Sequence, residues 1–244
     1  MAIKKIFTFI FLTVINLGML FGTVSANQLP PAERPIWNDG LYWNYFDAAR
    51  QESLEYWVLG VRAIREVDHY VMAQRNQRDG ETSIDLAFAP VRSPFPRRTN
   101  TPDSQTYLDF PLEVNLVWTV RESASAGFLN ASQIDAQIET VEVVETLIGP
   151  HESFRVDYQR ENDTWSLWYS PRLKSWIKQT NPVNDSVFLL QETWQFTQPY
   201  VLDLLYNTIE PLLETDRLGM RRLLNNLIQF EFDAARAEAL KAML

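Results

Sequence analysis

The chain has 244 residues, of which 31 are acidic, 22 are Lys or Arg and none is Cys, and its formal net charge is −9. The absence of Cys excludes disulfides, thiol nucleophiles and zinc sites built on thiolates. The negative charge, without a long basic run, argues against nucleic acid as a partner because phosphate would be repelled.

The first 26 residues are typical of a secretory signal peptide. Lys4 and Lys5 form a short cationic region, an apolar run follows from 6 to 21, and Val24 to Ala26 supply small residues for a peptidase. We predict cleavage after Ala26 and a periplasmic protein of 218 residues with a formal charge of −11, since the segment holds two lysines and no acid. An uncleaved anchor is the alternative, and only then do we expect membrane contact.

Residues 27–53 are predicted as an extended lead-in followed by a short helix. Three prolines between 30 and 35 favour extended backbone. Asp47 is placed to cap a helix that continues to Ser53.

Residues 54–197 are predicted as an antiparallel β domain, because β-prone runs alternate with turn signals and short connections favour a meander. Leu112 to Arg121 shows the clearest alternation of apolar and polar residues. Asp79-Gly80 is a hairpin signal, although its polar flanks favour a loop longer than two residues. The predicted strands are 56–61, 67–73, 83–89, 112–121, 134–146, 153–160, 164–169, 173–179 and 187–196, with a long loop over 90–105.

Residues 198–244 are predicted as helical. Apolar residues recur at helical spacing from Tyr200 to Leu213, where Pro211 divides the helix, and again in one helix from about Leu218 to Met243. We expect these helices to pack on the sheet, and a partner-binding helix is the alternative. The stripe predicted for the last helix consists of Leu224, Ile228, Phe232, Ala235, Ala239 and Met243.

These elements predict an α+β fold that is mainly β, with C-terminal helices packed on an antiparallel meander sheet. Between 165 and 196, apolar residues occur at both odd and even positions of the strands, and therefore on both faces of the sheet. This pattern predicts that both faces are covered there, with the helices as the second cover.

The sequence offers little evidence for catalysis, metal binding or cofactors. His69 and His151 are far apart and lack spaced partners, so we interpret them as ordinary surface or turn histidines. Ser175 to Lys178 matches a Ser-x-x-Lys motif but lies in a predicted strand, where that chemistry is not expected. Carboxylates of a glycoside hydrolase could come from a group of acidic residues, which are more typical of solvated strand positions. These residues are Glu139, Glu142, Glu145, Asp157 and Glu161.

Four tryptophans of the predicted sheet are the candidate ligand-binding residues: Trp165, Trp168, Trp176 and Trp194. They could form a stacking platform for sugars or line an apolar cavity. Packing in the core is the alternative for the same residues.

One segment resembles a module of uncharacterised bacterial envelope proteins of the DUF3108-like kind. It has Val-Glu repeats after Ile138, then Gly149 and Phe154, and a Trp-Tyr-Ser-Pro strand end at residues 168–171 followed by Trp176-Ile-Lys. Phe110-Pro-Leu with Trp118 resembles an upstream strand of that module, although Asn115 stands where a glycine is expected. The resemblance covers roughly residues 106–196, and it implies a strongly curved antiparallel sheet outside the cytoplasm but no catalytic residues.

These observations predict a non-catalytic envelope domain that binds an apolar or extended ligand or scaffolds other envelope components. The first alternative is a carboxylate-dependent hydrolase of envelope glycans or lipids. The second is an interaction subunit that docks an envelope protein through its C-terminal helix.

Overall fold

The structure is a computed structural model and describes residues 29–95, 107–121, 133–160, 163–181 and 185–244. The predicted signal peptide and most of the predicted loop over 90–105 lie outside these residues. Ten strands form one sheet, and three α-helices follow. The strands are β1 Leu41–Asp47, β2 Glu52–Ile64, β3 Val67–Arg78, β4 Glu81–Pro90, β5 Val117–Arg121, β6 Gln133–Thr146, β7 Gly149–Arg160, β8 Asp163–Ser170, β9 Ser175–Asn181 and β10 Ser186–Gln195; the helices are α1 Gln198–Ile209 with a 3-10 turn Glu210–Leu212, α2 Arg217–Gln229 and α3 Ala234–Lys241.

The sheet consists of two antiparallel meanders that meet where β1 pairs with β10. Its strand order is β4-β3-β2-β1-β10-β9-β8-β7-β6-β5, so the chain leaves the sheet at one edge and re-enters at the other. Cα atoms of β6 come within 8 Å of β9 and β10. A flat sheet would place β6 and β9 about 14 Å apart, so the sheet is strongly curved. The predicted fold class is therefore confirmed. The two edge strands, β4 and β5, do not pair with each other.

One face of the sheet, here called the inner face, carries a core to which both meanders contribute. Tyr45 stacks on Trp176 with ring centroids 3.5 Å apart, and Tyr158 stacks on Trp165 at 3.8 Å. The predicted extended lead-in covers part of this core. Ala32 exchanges two backbone hydrogen bonds with Leu112, at 2.8 and 2.9 Å, in the segment that crosses from β4 to β5.

The opposite, outer face is covered by the helices over β1 to β4. Apolar residues of these strands, such as Trp57 and Leu86, form a second buried cluster with helical residues, such as Leu205 and Leu224. Packing of the helices on the sheet is therefore confirmed. The prediction that the helices also cover residues 165–196 is wrong, because the strand residues beneath them belong to the first meander.

Three local predictions change because of turn geometry: a turn replaces a helix at Asp47, the Asp79-Gly80 turn is shorter than predicted, and a strand begins later than predicted, at Val117. Asp47 accepts hydrogen bonds from the backbone of Ala49 and Arg50, at 3.0 and 3.2 Å, but this closes a tight turn into β2 and not a helix. Asp79 and Gly80 form a two-residue hairpin, with φ values of 52° and 82°. Asn115 has a φ of 72°, so the predicted strand over 112–121 is regular only from Val117.

The predicted last helix is divided in two. Glu231 and Asp233 adopt left-handed backbone, with φ of 57° and 49°. Because of this break, the residues that face the sheet after it are not those that a continuous helix would bury. Leu224 and Phe232 are buried as expected and Ile228 is half-buried, whereas Ala235, Ala239 and Met243 are exposed. Ala237 and Leu240 are buried in their place.

Both histidines are buried, so the prediction of surface histidines is wrong. His69 and His151 are 2% and 7% exposed, in β3 and β7. Neither ring nitrogen of His151 has a hydrogen-bond partner in the structure. Burial lowers the pKa of His151, with Arg172 acting in the same direction and Glu145 opposing it.

Tyr206→Phe should destabilise the helical layer. The buried hydroxyl donates to the backbone oxygens of Phe232 and Asp233, at 2.6 and 3.0 Å, and so fixes the break between α2 and α3. Its loss leaves these carbonyls without that donor, and we expect the free energy of unfolding to fall by about 1–3 kcal/mol in urea titrations. Tyr200→Phe, at a half-exposed position of the same helix, is the matched control and should change it by less than about 0.5 kcal/mol. Equal effects would contradict this role of Tyr206.

Acid should destabilise the protein partly through His151. Because the folded-state pKa is lowered, the unfolded chain binds the proton first, and stability present above about pH 6.5 is lost as the pH falls below it. Urea titrations at about pH 7.5 and about pH 5 should show a smaller loss for His151→Leu than for the wild type. An identical loss would contradict the prediction.

Candidate functional site

The structure does not bring the four candidate tryptophans together. Trp165 and Trp176 lie on the inner face in the ring stacks described above. Trp168 points to the outer face by its register with Arg155 and Lys178, and it is only 5% exposed. The Lys178 ammonium lies 4.2 Å from its ring centroid and the Arg155 guanidinium 5.5 Å from it, and its indole donates to Glu142 at 2.9 Å. Trp194, by contrast, is 56% exposed.

A row of polar side chains crosses the outer face beside the helices and ends near Trp194. Cross-strand partners in the sheet register are Arg75 with Glu55, Glu55 with Asn44, and Asn44 with Glu192. We call these four residues the polar row. It spans β3, β2, β1 and β10, or about 14 Å at the usual strand spacing.

Direct contacts link two pairs of the polar row, and Tyr42 connects these pairs. Arg75 binds the carboxylate of Glu55 through Nε and Nη2, at 3.0 and 2.5 Å. The amide of Asn44 donates to Glu192 at 3.2 Å. The hydroxyl of Tyr42 lies 3.1 Å from Glu55 and 3.4 Å from Glu192, so its single proton is shared between the two carboxylates. The side chains are thereby held in a fixed line.

Aromatic rings continue the polar row toward α1. Trp194 is the cross-strand neighbour of Tyr42. The Tyr42 ring lies 5.8 Å from Phe196, which lies 4.9 Å from Tyr200. We call Trp194, Tyr42, Phe196 and Tyr200 the aromatic strip. Its two ends are open to solvent, because Tyr200 is 52% exposed in addition to Trp194.

Glu192 joins the polar row to the aromatic strip. The indole of Trp194 donates to its carboxylate at 3.0 Å. This hydrogen bond, together with those from Asn44 and Tyr42, holds the pKa of Glu192 below its ordinary value although burial opposes them. An ionised Glu192 therefore fixes the plane of an exposed indole.

A groove of about 780 Å³ lies at the other end of the polar row. It runs between the β3–β4 hairpin and the end of α1, and most of its lining is polar. The lining residues include Arg75, Thr82, Asn207, Thr208, Leu212 and Asp216.

The carboxylates of this face are engaged by hydrogen-bond donors and by arginines. A glycosidase needs one protonated carboxyl as general acid, whereas Glu192 has a lowered pKa and Glu55 is paired with Arg75. Two carboxylates considered from the sequence, Glu142 and Asp157, both bind Arg155, at 3.3 and 3.0 Å. Among the described residues, no group of three or more His, Cys, Asp or Glu is placed to hold a metal ion.

Sequence reasoning named Trp194 as a candidate but did not name the residues around it. Tyr42 and Asn44 were assigned to the lead-in before the sheet, so their pairing with β10 was not expected. The alternation of Glu192, Trp194 and Phe196 places these three side chains on one face of β10 and was the signal available in the sequence.

Alanine substitutions should separate the core tryptophans from Trp194. Trp176→Ala removes a ring from the buried stack and should lower the free energy of unfolding by about 3–5 kcal/mol. Trp194→Ala should change it by less than about 1 kcal/mol, because the side chain is half-exposed. Urea titration of both variants measures the difference, and a large loss at Trp194 would show that it is a structural residue.

Comparisons with known proteins reach only the level of partial structural similarity. No family model matches the chain, and no curated protein matches it. A protein from Bacteroides fragilis NCTC 9343, described as exported and as having a YmcC-like fold, has a TM-score of 0.40, with 14% identity over 68% of this chain and 100% of its own. A protein from Parabacteroides distasonis ATCC 8503, described as a lipoprotein, has a TM-score of 0.39 with the same identity and coverage.

Proposed function

We propose that this protein is an exported, non-catalytic binding protein that holds an extended, hydroxyl-bearing chain, such as a segment of polysaccharide, across its outer face. The observation that carries the proposal is the half-exposed indole of Trp194, held by Glu192 at the end of the polar row. The ligand lies along the polar row and stacks on the aromatic strip.

The chemistry of the site matches that of a sugar chain. A pyranose ring has an apolar face that stacks on an aromatic ring and equatorial hydroxyls that need hydrogen-bond partners. Trp194 and Tyr200 offer exposed aromatic surface, while Asn44 and Glu192, which are half-buried, offer an amide and a carboxylate beside it. Glu55 is buried and supports the polar row from below through Tyr42 and Arg75. Because the polar groups are already held by one another, little side-chain entropy is lost on binding.

The shape of the site favours an extended ligand over a small apolar one. The polar row and the groove lie on an open face and together cross four strands. In the described part of the chain, aromatic and aliphatic side chains fill the inner face, where an apolar ligand would otherwise be expected. A long ligand can make several weak contacts at once along such a face.

Docking through the C-terminal helix receives less support. The apolar residues of α2, including Leu223, Leu224 and Leu227, are buried against the sheet and cannot contact a partner without unfolding that layer. None of the described helices is long and apolar enough to cross a membrane.

Export is part of the same proposal. It rests on the signal-like residues 1–26, from which we infer cleavage after Ala26 and a periplasmic location. The relation to DUF3108-like envelope proteins rests on the Trp168-Tyr169-Ser170-Pro171 motif, which lies at the end of β8 and its turn.

Titration calorimetry of the mature protein with three hexaoses tests the binding proposal: cellohexaose, N-acetylchitohexaose and chitosan hexaose. We expect saturable binding of at least one of them. Trp194→Ala should weaken it about tenfold, since stacking of one ring contributes on the order of 1 kcal/mol.

Leu147→Ala is the matched control, because Leu147 is an exposed apolar residue at the β6–β7 turn, outside the polar row and aromatic strip. It should leave the affinity unchanged. Absence of binding for all three hexaoses, or equal affinities of the wild type and Trp194→Ala, would refute the proposed function.

A further inference from the structure

The aromatic strip lies on segments that carry acidic residues and no basic ones. Residues 179–216, which include β10 and α1, contain six acidic residues and no Lys, Arg or His. Residues 35–49, which include β1, likewise contain two acidic residues and no basic one. Every element that supplies a ring of the strip therefore supplies only negative charge.

The single cation of the polar row does not offset this charge at the strip. Arg75 is bound to Glu55 by two hydrogen bonds, on the far side of Asn44 from Glu192. Near the strip, Asp39 accepts a hydrogen bond from Gln198 at 3.3 Å and is itself exposed. Among the described residues neither Asp39 nor Glu192 forms an ion pair, although Arg62 and Asp39 both lie close to Gly60.

Glu192 retains capacity for one further donor. A carboxylate has about four acceptor positions, and the donors in the structure are the indole of Trp194, the amide of Asn44 and the shared hydroxyl of Tyr42. The remaining position lies on a half-exposed side chain. A donor of the ligand can therefore bind this carboxylate without displacing a protein group.

Exposed aromatic faces beside a carboxylate are a recognised arrangement for ammonium groups, which are attracted by the ring quadrupole and by the charge. The net charge of −11 expected for the mature chain adds a long-range attraction for cations. A neutral sugar would use the rings but not the charge.

We propose that the ligand of this site carries protonated amines, as in a glycan that contains free amino sugars, and that one ammonium group binds beside Glu192 and the exposed ring of Trp194. This inference rests on the proposed function and specifies its ligand class. The ring stacking fixes the position of the sugar, and the carboxylate selects the amine over an acetamide or a hydroxyl.

Comparison of chitosan hexaose with N-acetylchitohexaose tests the inference, since the two differ only in whether the amines are free. At a pH where the amines are protonated, we expect chitosan hexaose to bind about tenfold more tightly in dilute buffer. The preference should shrink to about twofold or less in about 0.5 M NaCl, where charges are screened.

Two substitutions at Glu192 locate the source of the preference. Glu192→Gln removes the charge and should bring the ratio of the two affinities to about one, whatever its effect on each affinity. Glu192→Asp retains the charge and should retain a preference. Asp203→Asn is the matched control, because Asp203 is an exposed acid on α1 that pairs with Arg236 at 2.7 Å, and it should leave the ratio unchanged. Circular dichroism of each variant verifies that it is folded.

The possible results separate this inference from the proposed function. Equal affinities for the two hexaoses in the wild type, with dependence on Trp194, would overturn the amine preference and leave saccharide binding in place. A preference that persists in Glu192→Gln, or that also falls in Asp203→Asn, would overturn the assignment to Glu192. Absence of binding for every hexaose would refute both proposals.

Discussion

The pairing of β1 with β10 is the constraint on which the rest of the structure depends. It is the one connection that makes a single sheet of the two meanders, and it joins residues about 150 positions apart in the chain. Gly40 begins this pairing. Its φ is 86°, and a Cβ there would lie 2.1 Å from the backbone oxygen of Phe196, so no other residue fits without moving the strand. The amide of Phe196 donates to Gly40 at 2.9 Å and completes the contact.

Because residues of a strand alternate between faces, β1 contributes to stability and to the candidate site at the same time. Trp43 and Tyr45 point to the inner core, and the Tyr45 hydroxyl contacts Ser175 at 2.9 Å and the backbone oxygen of Trp176 at 3.0 Å. Tyr42 and Asn44 point to the outer face and hold Glu192. The core therefore fixes the position of β1, and β1 in turn fixes the polar row, along which we propose that the ligand lies.

The two halves of the outer face differ in how apolar surface is covered. Over β1 to β4 the helices provide the cover, and the buried residues there are aliphatic and aromatic. On β8 the charged ends of Lys178 and Arg155 lie over the indole of Trp168, 4.2 and 5.5 Å from its ring centroid. Among the described residues, Trp194 lies between these regions and remains 56% exposed, and this exposure is the basis of the proposed ligand contact.

The sequence by itself determined the elements and the broad class of this fold. Periodicity located most strands of the second meander and the helical tail, because each strand buries alternate residues and each helix buries a stripe. It could not determine the candidate site. Glu192 and Trp194 are two positions apart in the chain, but Asn44, Glu55 and Arg75 join them only through strand register across distant segments. The break at Glu231 and Asp233 was equally hidden, since left-handed backbone at these residues is stabilised by the distant hydroxyl of Tyr206. Which tryptophan remains exposed was decided by tertiary structure alone, because exposure depends on which neighbouring strand, helix or cation covers a ring.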